Sequence, residues 1–245
     1  MPHFYVSPEN IHGNRFELTG DEVHHLADVR RYEVGDKLHL FDGTGKVYVG
    51  KIEHLSRERI DGVILEKSDL ALAAAEVFLY SGVPKGDRFD WLVEKACELG
   101  VKSVIPLITE RSVIKEISAA KHERWQRLAL AASQQCGRPD ILAVGPAVEI
   151  FPALASVKDL GLSIIPWEGE EARSLSETMR PGEKKRVNIF IGPEGGFTLE
   201  EIKHAKQQGV HPVTLGPRIL RVETAGLLAS VLVLNSVNEF ARSGK

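Results

Sequence analysis

The chain is poor in sulfur and in long apolar stretches. It has only two cysteines and two methionines in 245 residues. Cys97 and Cys136 alone exclude a disulfide scaffold and a four-cysteine zinc site. Each falls in a helix-like stretch, where a buried thiol is expected. The longest run without a charged residue, 224–238, is shorter than the roughly 20 apolar residues of a membrane span, so no membrane partner is expected. The opening MPHFYVSPEN lacks a basic segment leading into an apolar one. No signal peptide is read there, and the expected location is cytoplasmic. A surplus of positive charge is missing as well: Lys+Arg 31 against Asp+Glu 34 gives −3. No global basic field advertises nucleic acid, so any RNA binding rests on a local patch.

What is present suffices for a folded core, with 43% hydrophobic and 27% charged residues. The length fits one large domain or two small ones. Residues 1–73 hold 9 Lys/Arg, 13 Asp/Glu and 6 of the 9 His, whereas 74–245 hold 22 and 21 charges of the two signs. The first segment reads as short strands with turns: 38–41, the hairpin signal Asp42-Gly43-Thr44-Gly45, 47–49 and 60–65. One short helix fits at 21–29. Such a pattern predicts a small barrel or sandwich. From Glu76 onward, apolar strands alternate with helices. The strands are 77–80, 103–108, 162–166, 187–191 and 213–215. The helices are 87–99, 121–135, 170–179, 199–208 and 222–240. This alternation predicts an α/β domain with a parallel sheet, and ligands outside the carboxyl ends of its strands. The last helix is apolar nearly all round, which places it in the core or against a second subunit.

Two loops stand out. Gly192-Pro193-Glu194-Gly195-Gly196-Phe197 follows an apolar strand, and Thr198 with Glu201 forms a capping-box signature for the next helix. Glycines there let backbone approach a ligand and leave N–H groups to bind it; a plain turn is the alternative. Neither standard nucleotide fingerprint is matched. The second loop, Leu215-Gly216-Pro217-Arg218-Ile219-Leu220-Arg221, also lies between a strand and a helix, with Glu223 and Thr224 just beyond. A third strand end carries Ile165, Pro166 and Trp167, where Trp167 fits core, rim or ligand contact. His24 and His25 are adjacent, so their rings diverge on a helix, and no metal is expected.

These residues, in order, resemble the RsmE family, the SPOUT-class methyltransferases that methylate uridine N3 in 16S ribosomal RNA. The resemblance covers the whole chain. Beside the two loops it rests on Lys85-Gly86-Asp87-Arg88, Glu94-Lys95-Ala96, Glu98-Leu99-Gly100-Val101, Glu110-Arg111-Ser112, Gln135-Cys136-Gly137-Arg138 and His24-His25-Leu26. Local departures are Pro2, His3 and Arg30.

The resemblance implies a PUA-like, RNA-binding β-barrel at 1–72 and a SPOUT domain at 74–245 with a trefoil knot. It implies S-adenosyl-L-methionine as cofactor, a homodimer, and 16S ribosomal RNA or the small ribosomal subunit as partner. The cofactor set is then Ile165, Pro166, Trp167, Ile191, Gly192, Pro193, Glu194, Gly195, Gly196, Leu215, Gly216, Ile219, Leu220, Arg221 and Thr224. Arg221 is the expected catalytic or base-orienting cation; an ion pair with Glu223 or Glu194 is its alternative role. RNA contacts are expected from His25, Arg31, Lys85, Arg88, Arg111 and Arg138. A methyltransferase acting on another RNA base and a non-catalytic PUA-type RNA-binding factor are the other readings.

Overall fold

The computed structural model describes residues 3–20, 23, 26, 32–69, 75–179, 185–237 and 240. Two compact units divide the chain: Met1–Leu72 with Leu130–Ile141, and Ala73–Ala129 with Leu142–Lys245.

The first unit contains a six-stranded sheet. Its strands are β1 (His3–Tyr5), β2 (Ile11–His12), β3 (Arg15–Thr19), β4 (Lys37–Phe41), β5 (Lys46–Leu55) and β6 (Arg59–Asp69), in the order β1-β4-β5-β6-β3-β2. β1 and β4 are parallel and the other pairs antiparallel. One face is apolar: Phe16 and Leu18 of β3, Leu38 and Leu40 of β4, Ile52 of β5 and Ile60 of β6 are buried in one cluster. Register shifts interrupt the β5–β6 pairing, and a Cβ on Gly62 would stand 2.0 Å from the Lys51 carbonyl oxygen, so only glycine fits there.

The Asp42-to-Gly45 turn joins β4 to β5. The Asp42 carboxylate accepts hydrogen bonds from the Thr44 N–H (2.9 Å), the Thr44 hydroxyl (2.7 Å) and the Tyr48 hydroxyl (2.9 Å). Residues 130–141 attach to this turn: the Gly45 N–H donates to the Pro139 carbonyl (3.2 Å) and the Ile141 N–H to the Gly43 carbonyl (3.2 Å). The helix expected at 21–29 falls mostly outside the described residues.

The second unit is α/β. Its strands are β7 (Ala75–Gly82), β8 (Ser103–Ile108), β9 (Ala143–Val144), β10 (Val148–Glu149), β11 (Leu162–Pro166), β12 (Lys185–Ile191) and β13 (His211–Val213). Its helices are α1 (Arg88–Leu99), α2 (Ala119–Cys136), α3 (Ile150–Ser156), α4 (Leu175–Thr178), α5 (Leu199–Gln207) and α6 (Val222–Ser236); the end of α2 belongs to the first unit. The sheet runs β10-β8-β7-β12-β11-β13, with β9 beside β8, and every pair is parallel. Val77, Leu79, Val187 and Ile189 have no exposed surface, as expected for central parallel strands. Gly100, with φ 91°, ends α1 in the left-handed conformation.

α6 packs on β7, β12, α1 and α4, and Val222, Gly226, Ala229, Val233 and Leu234 are buried along it. Its other side, Ala225, Leu227, Leu228, Val231 and Leu232, is apolar and half-buried. The cysteines differ: Cys97 is buried and its thiol donates to the Ala129 carbonyl, whereas Cys136, expected buried, is exposed at the last position of α2.

Candidate functional site

Because every strand of the second sheet points the same way, the carboxyl ends of β7, β12, β11 and β13 form one continuous edge. All three loops singled out in the sequence leave from it. β12 ends at Ile191, and 192–197 turns sharply: Gly196 has φ 67° and its N–H donates to the Pro193 carbonyl at 2.9 Å. The turn sits against the end of β7, where a Cβ on Gly82 would stand 2.7 Å from the Pro193 nitrogen. It also reaches the loop after β11, where a Cβ on Gly196 would stand 2.8 Å from a Glu168 carboxylate oxygen. Thr198 then caps α5, with Glu201 completing the capping box.

The loop after β11 is tied to the one after β13. The Trp167 N–H donates to the Val213 carbonyl (3.1 Å), and the Thr214 N–H to the Arg173 carbonyl (2.8 Å). The Glu170 carboxylate accepts from the N–H groups of Arg173 and Ala172, each at 3.1 Å, which holds it below the usual carboxylate range. Trp167 packs half-buried against the hydrophobic cluster that includes Phe190 and Phe197. Gly216, with φ 103°, opens the last loop.

Within that loop Ile219 is 95% exposed, and Arg221 takes the N-cap position of α6. The exposed Arg221 guanidinium has no hydrogen bond or ion pair among the described residues. Neither expected partner takes it up. Glu194 is paired with Arg88 at 3.0 Å, and the Glu223 carboxylate is buried with Oε2 unpartnered.

The basic residues are placed unevenly. The Lys85 N–H donates to Glu194 Oε1 (3.3 Å) and Arg88 to the same oxygen, so both engage the glycine loop. Arg111 Nη1 donates to the Gly195 carbonyl (2.9 Å) and the Phe197 carbonyl (3.4 Å). Arg138 lies in the first unit, 10% exposed, in a two-pronged pair with Asp140 at 2.7 and 2.9 Å. His25 and Arg31 lie outside the described residues. Sequence reasoning missed the part of Gly82 and read Glu168 only as the last residue of the third strand-end segment, 164–168; the contacts of both with the glycine loop depend on strand adjacency. It saw Glu201 only as a cap.

A bent nucleoside-type cofactor needs close backbone approach, available N–H donors and an apolar wall. Loop 192–197 with Gly195 and Gly196, the partnerless N–H groups of Gly195, Ile219 and Leu220 among the described residues, and Trp167 meet those needs. No group of three or more potential metal ligands occurs among the described residues, and no helix among them is long and apolar enough to cross a membrane.

Comparison with known proteins agrees with this arrangement. Residues 72–234 match the model of the RNA methyltransferase domain, and residues 18–65 that of the RNA methyltransferase PUA domain. Ribosomal RNA small subunit methyltransferase E of Bacillus subtilis is 30% identical over 223 residues, covering 87% of each chain. That of Synechocystis is 32% identical over 234 residues, covering 91% of this chain and 74% of its own. The crystal structure of the Neisseria gonorrhoeae enzyme of the same name, bound to S-adenosyl methionine, superposes with a TM-score of 0.85. It is 30% identical, covering 97% of this chain and 98% of that one. The chain therefore belongs to the ribosomal RNA small subunit methyltransferase E family, with an RNA methyltransferase domain preceded by a PUA domain.

Proposed function

We propose that this protein transfers the methyl group of S-adenosylmethionine to N3 of a uridine in 16S ribosomal RNA. As a family member it is an S-adenosylmethionine-dependent ribosomal RNA methyltransferase. The observation that carries the finer reading is the meeting of three loops at one sheet edge, the last of them ending at a guanidinium with no partner among the described residues. When bound, the cofactor supplies an electrophilic methyl group on a positively charged sulfur.

The chain's own residues do the rest. Backbone of 191–196 and 215–220 binds and orients the ligand, Pro166 and Trp167 wall it from below, and Thr224 closes the far side. A neutral uracil imide is a poor nucleophile, so N3 must lose its proton, which passes to solvent as the new N–C bond forms. The Arg221 guanidinium stabilises the uridine anion at its carbonyl oxygens, which is where charge develops. Holding N3 in line with the methyl group requires the base to leave its stack.

The PUA domain, assigned to 1–72 with the catalytic domain at 74–245, grips the RNA through His25 and Arg31. Lys85, whose ammonium is exposed, and half-exposed Arg88 add phosphate contacts. The half-buried apolar side of α6 supports a homodimer. Thr214 bonds Arg173 in the β11–β12 connection before α6 turns back onto β7 and α1, which supports a trefoil knot in this segment. The first sheet is read as that of a PUA-like barrel, and the protein is assigned to the cytoplasm, acting on 16S ribosomal RNA or the small subunit.

The test is methyl transfer from tritium-labelled S-adenosylmethionine to unmodified small subunits and to naked 16S ribosomal RNA. Mass spectrometry then locates the methyl group. Label at N3 of one uridine is expected; label on another base or none at all would overturn the reading.

A further inference from the structure

Glu201 has no exposed surface. Burying a carboxylate is costly unless its oxygens are hydrogen-bonded. One oxygen accepts from the Thr198 N–H at 2.8 Å, which completes the helix cap. The other accepts from the Glu110 N–H at 2.9 Å, and Glu110 lies in the loop after β8. The cap explains only the first bond. The second ties a separate loop to the start of α5.

The next residue in that loop is Arg111, whose Nη1 donates to the carbonyls of Gly195 and Phe197 at 2.9 and 3.4 Å. A Cβ on Gly195 would come within 3.1 Å of the Arg111 Cβ, so glycine at 195 admits the arginine stem. The loop bearing Arg111 is itself fixed. Ser112 Oγ accepts from the Thr109 N–H (2.9 Å), the Ser112 N–H donates to the Thr109 carbonyl (3.2 Å), and Lys115 Nζ donates to the carbonyls of Thr109 and Glu110 at 2.7 Å each. Thr109 and Ser112 are buried. Loop 109–112 is thus a built frame, anchored at Glu201 and aimed at the glycine loop.

We propose that Arg111, anchored through Glu201, is a positioning residue of the cofactor site. It holds the Gly195 and Phe197 carbonyls and so fixes the conformation in which 192–197 receives S-adenosylmethionine. This rests on reading that loop as the cofactor loop. It gives Arg111 a part other than the expected RNA phosphate contact, since its Nη1 is engaged by two protein carbonyls. Charge-assisted bonds of this kind are stronger than neutral ones, and here one nitrogen of a rigid planar guanidinium serves both carbonyls.

The experiment uses the full chain as wild type, Arg111→Ala, Arg111→Lys and Glu201→Gln. Hydrogen exchange on the unliganded protein reads the loop directly. Arg111→Ala and Glu201→Gln are expected to speed exchange in 192–198, and Arg111→Lys is expected to restore part of the protection. Calorimetry should find S-adenosylmethionine bound roughly ten- to a hundredfold more weakly by Arg111→Ala. The KM for S-adenosylmethionine should rise with it, while the affinity for 16S ribosomal RNA and its salt dependence stay at wild-type values.

Unchanged exchange in 192–198 would overturn the proposal. So would wild-type cofactor affinity combined with weaker RNA binding and a shallower salt slope, the signature of a lost phosphate contact. A wild-type protein that fails to bind S-adenosylmethionine, with the exchange pattern as expected, would overturn the cofactor reading and leave Arg111 as the brace of the loop.

Discussion

Gly82 and Pro193 meet at the ends of two neighbouring parallel strands, so closely that a Cβ on Gly82 would lie 2.7 Å from the Pro193 nitrogen and 2.8 Å from its Cα. The obstruction would be backbone, which cannot swing aside as a flexible side chain can. Gly82→Ala should therefore push the glycine loop away from β7. We expect about 1–3 kcal/mol of destabilisation, the usual range for overpacking. Cofactor affinity should fall with it. Calorimetry with S-adenosylmethionine and thermal denaturation check this, and wild-type values in both would show that the two strand ends are not packed as described.

Most of the strand–loop–helix order of the second unit was legible because buried parallel strands read as apolar runs and because Thr198 with Glu201 marks a helix start; the short β9, β10 and α3 between 143 and 156 were not read. The bounds were less so. The helix read at 170–179 is only Leu175–Thr178, since Glu170 takes the N–H groups of Ala172 and Arg173 and Ser174 opens a new cap. The last helix ends at Ser236 rather than at 240, and β13 is His211–Val213 rather than 213–215. The attachment of 130–141 to the first unit depends on hydrogen bonds to a hairpin far away in sequence, which no local pattern encodes. The protein partners of Arg88 and Arg111, expected as RNA contacts, were hidden for the same reason: Glu194 and the Gly195 carbonyl come within reach only once the sheet has formed.

Acid sensitivity in the first unit should centre on Asp42. Burial raises its pKa, but hydrogen bonds from the Thr44 N–H and hydroxyl and from the Tyr48 hydroxyl outweigh this and hold it below its ordinary 3.8. A depressed carboxylate contributes stability that is present above 3.8 and is lost as pH falls through the folded value. Tyr48 has the opposite sign. Burial first, then Asp42, push it from 10.0 up to about 12, so its contribution is present below 10.0 and is lost as pH rises toward the folded value. Carboxyl NMR should find Asp42 titrating late on acidification. Tyrosinate absorbance should find one tyrosine ionising late on alkalinisation, and Asp42→Asn should bring that tyrosine back toward the ordinary range.

Val231 lies on the half-buried apolar side of α6, away from the positions packed on β7 and α1. In the proposed homodimer an aspartate there would face the second subunit, and an unpaired charge in such an interface is costly. Val231→Asp should shift the protein toward monomer in sedimentation velocity while the isolated chain keeps its far-UV spectrum. A wild-type protein that sediments as a monomer at micromolar concentration would rule out the dimer.

Arg221 tests the chemistry itself. Its guanidinium is exposed at the N-cap of α6 and makes no side-chain cap bond, so removing it should change stability by less than about 0.5 kcal/mol. A group that acts on charge appearing only in the transition state lowers turnover without weakening the ground-state complex. Arg221→Ala should thus lower kcat by about 10²–10³-fold, the cost of losing one preorganised donor. S-adenosylmethionine affinity should stay close to wild type. Arg221→Lys keeps the charge but loses the planar fork and should recover only part of the rate. Arg218, three residues earlier and also exposed, is the internal control: Arg218→Ala should leave kcat largely intact. If Arg218→Ala carries the rate loss instead, the two arginines exchange roles. If Arg221→Ala binds the cofactor poorly but turns over normally at saturation, Arg221 supports the loop and does not act on the uridine.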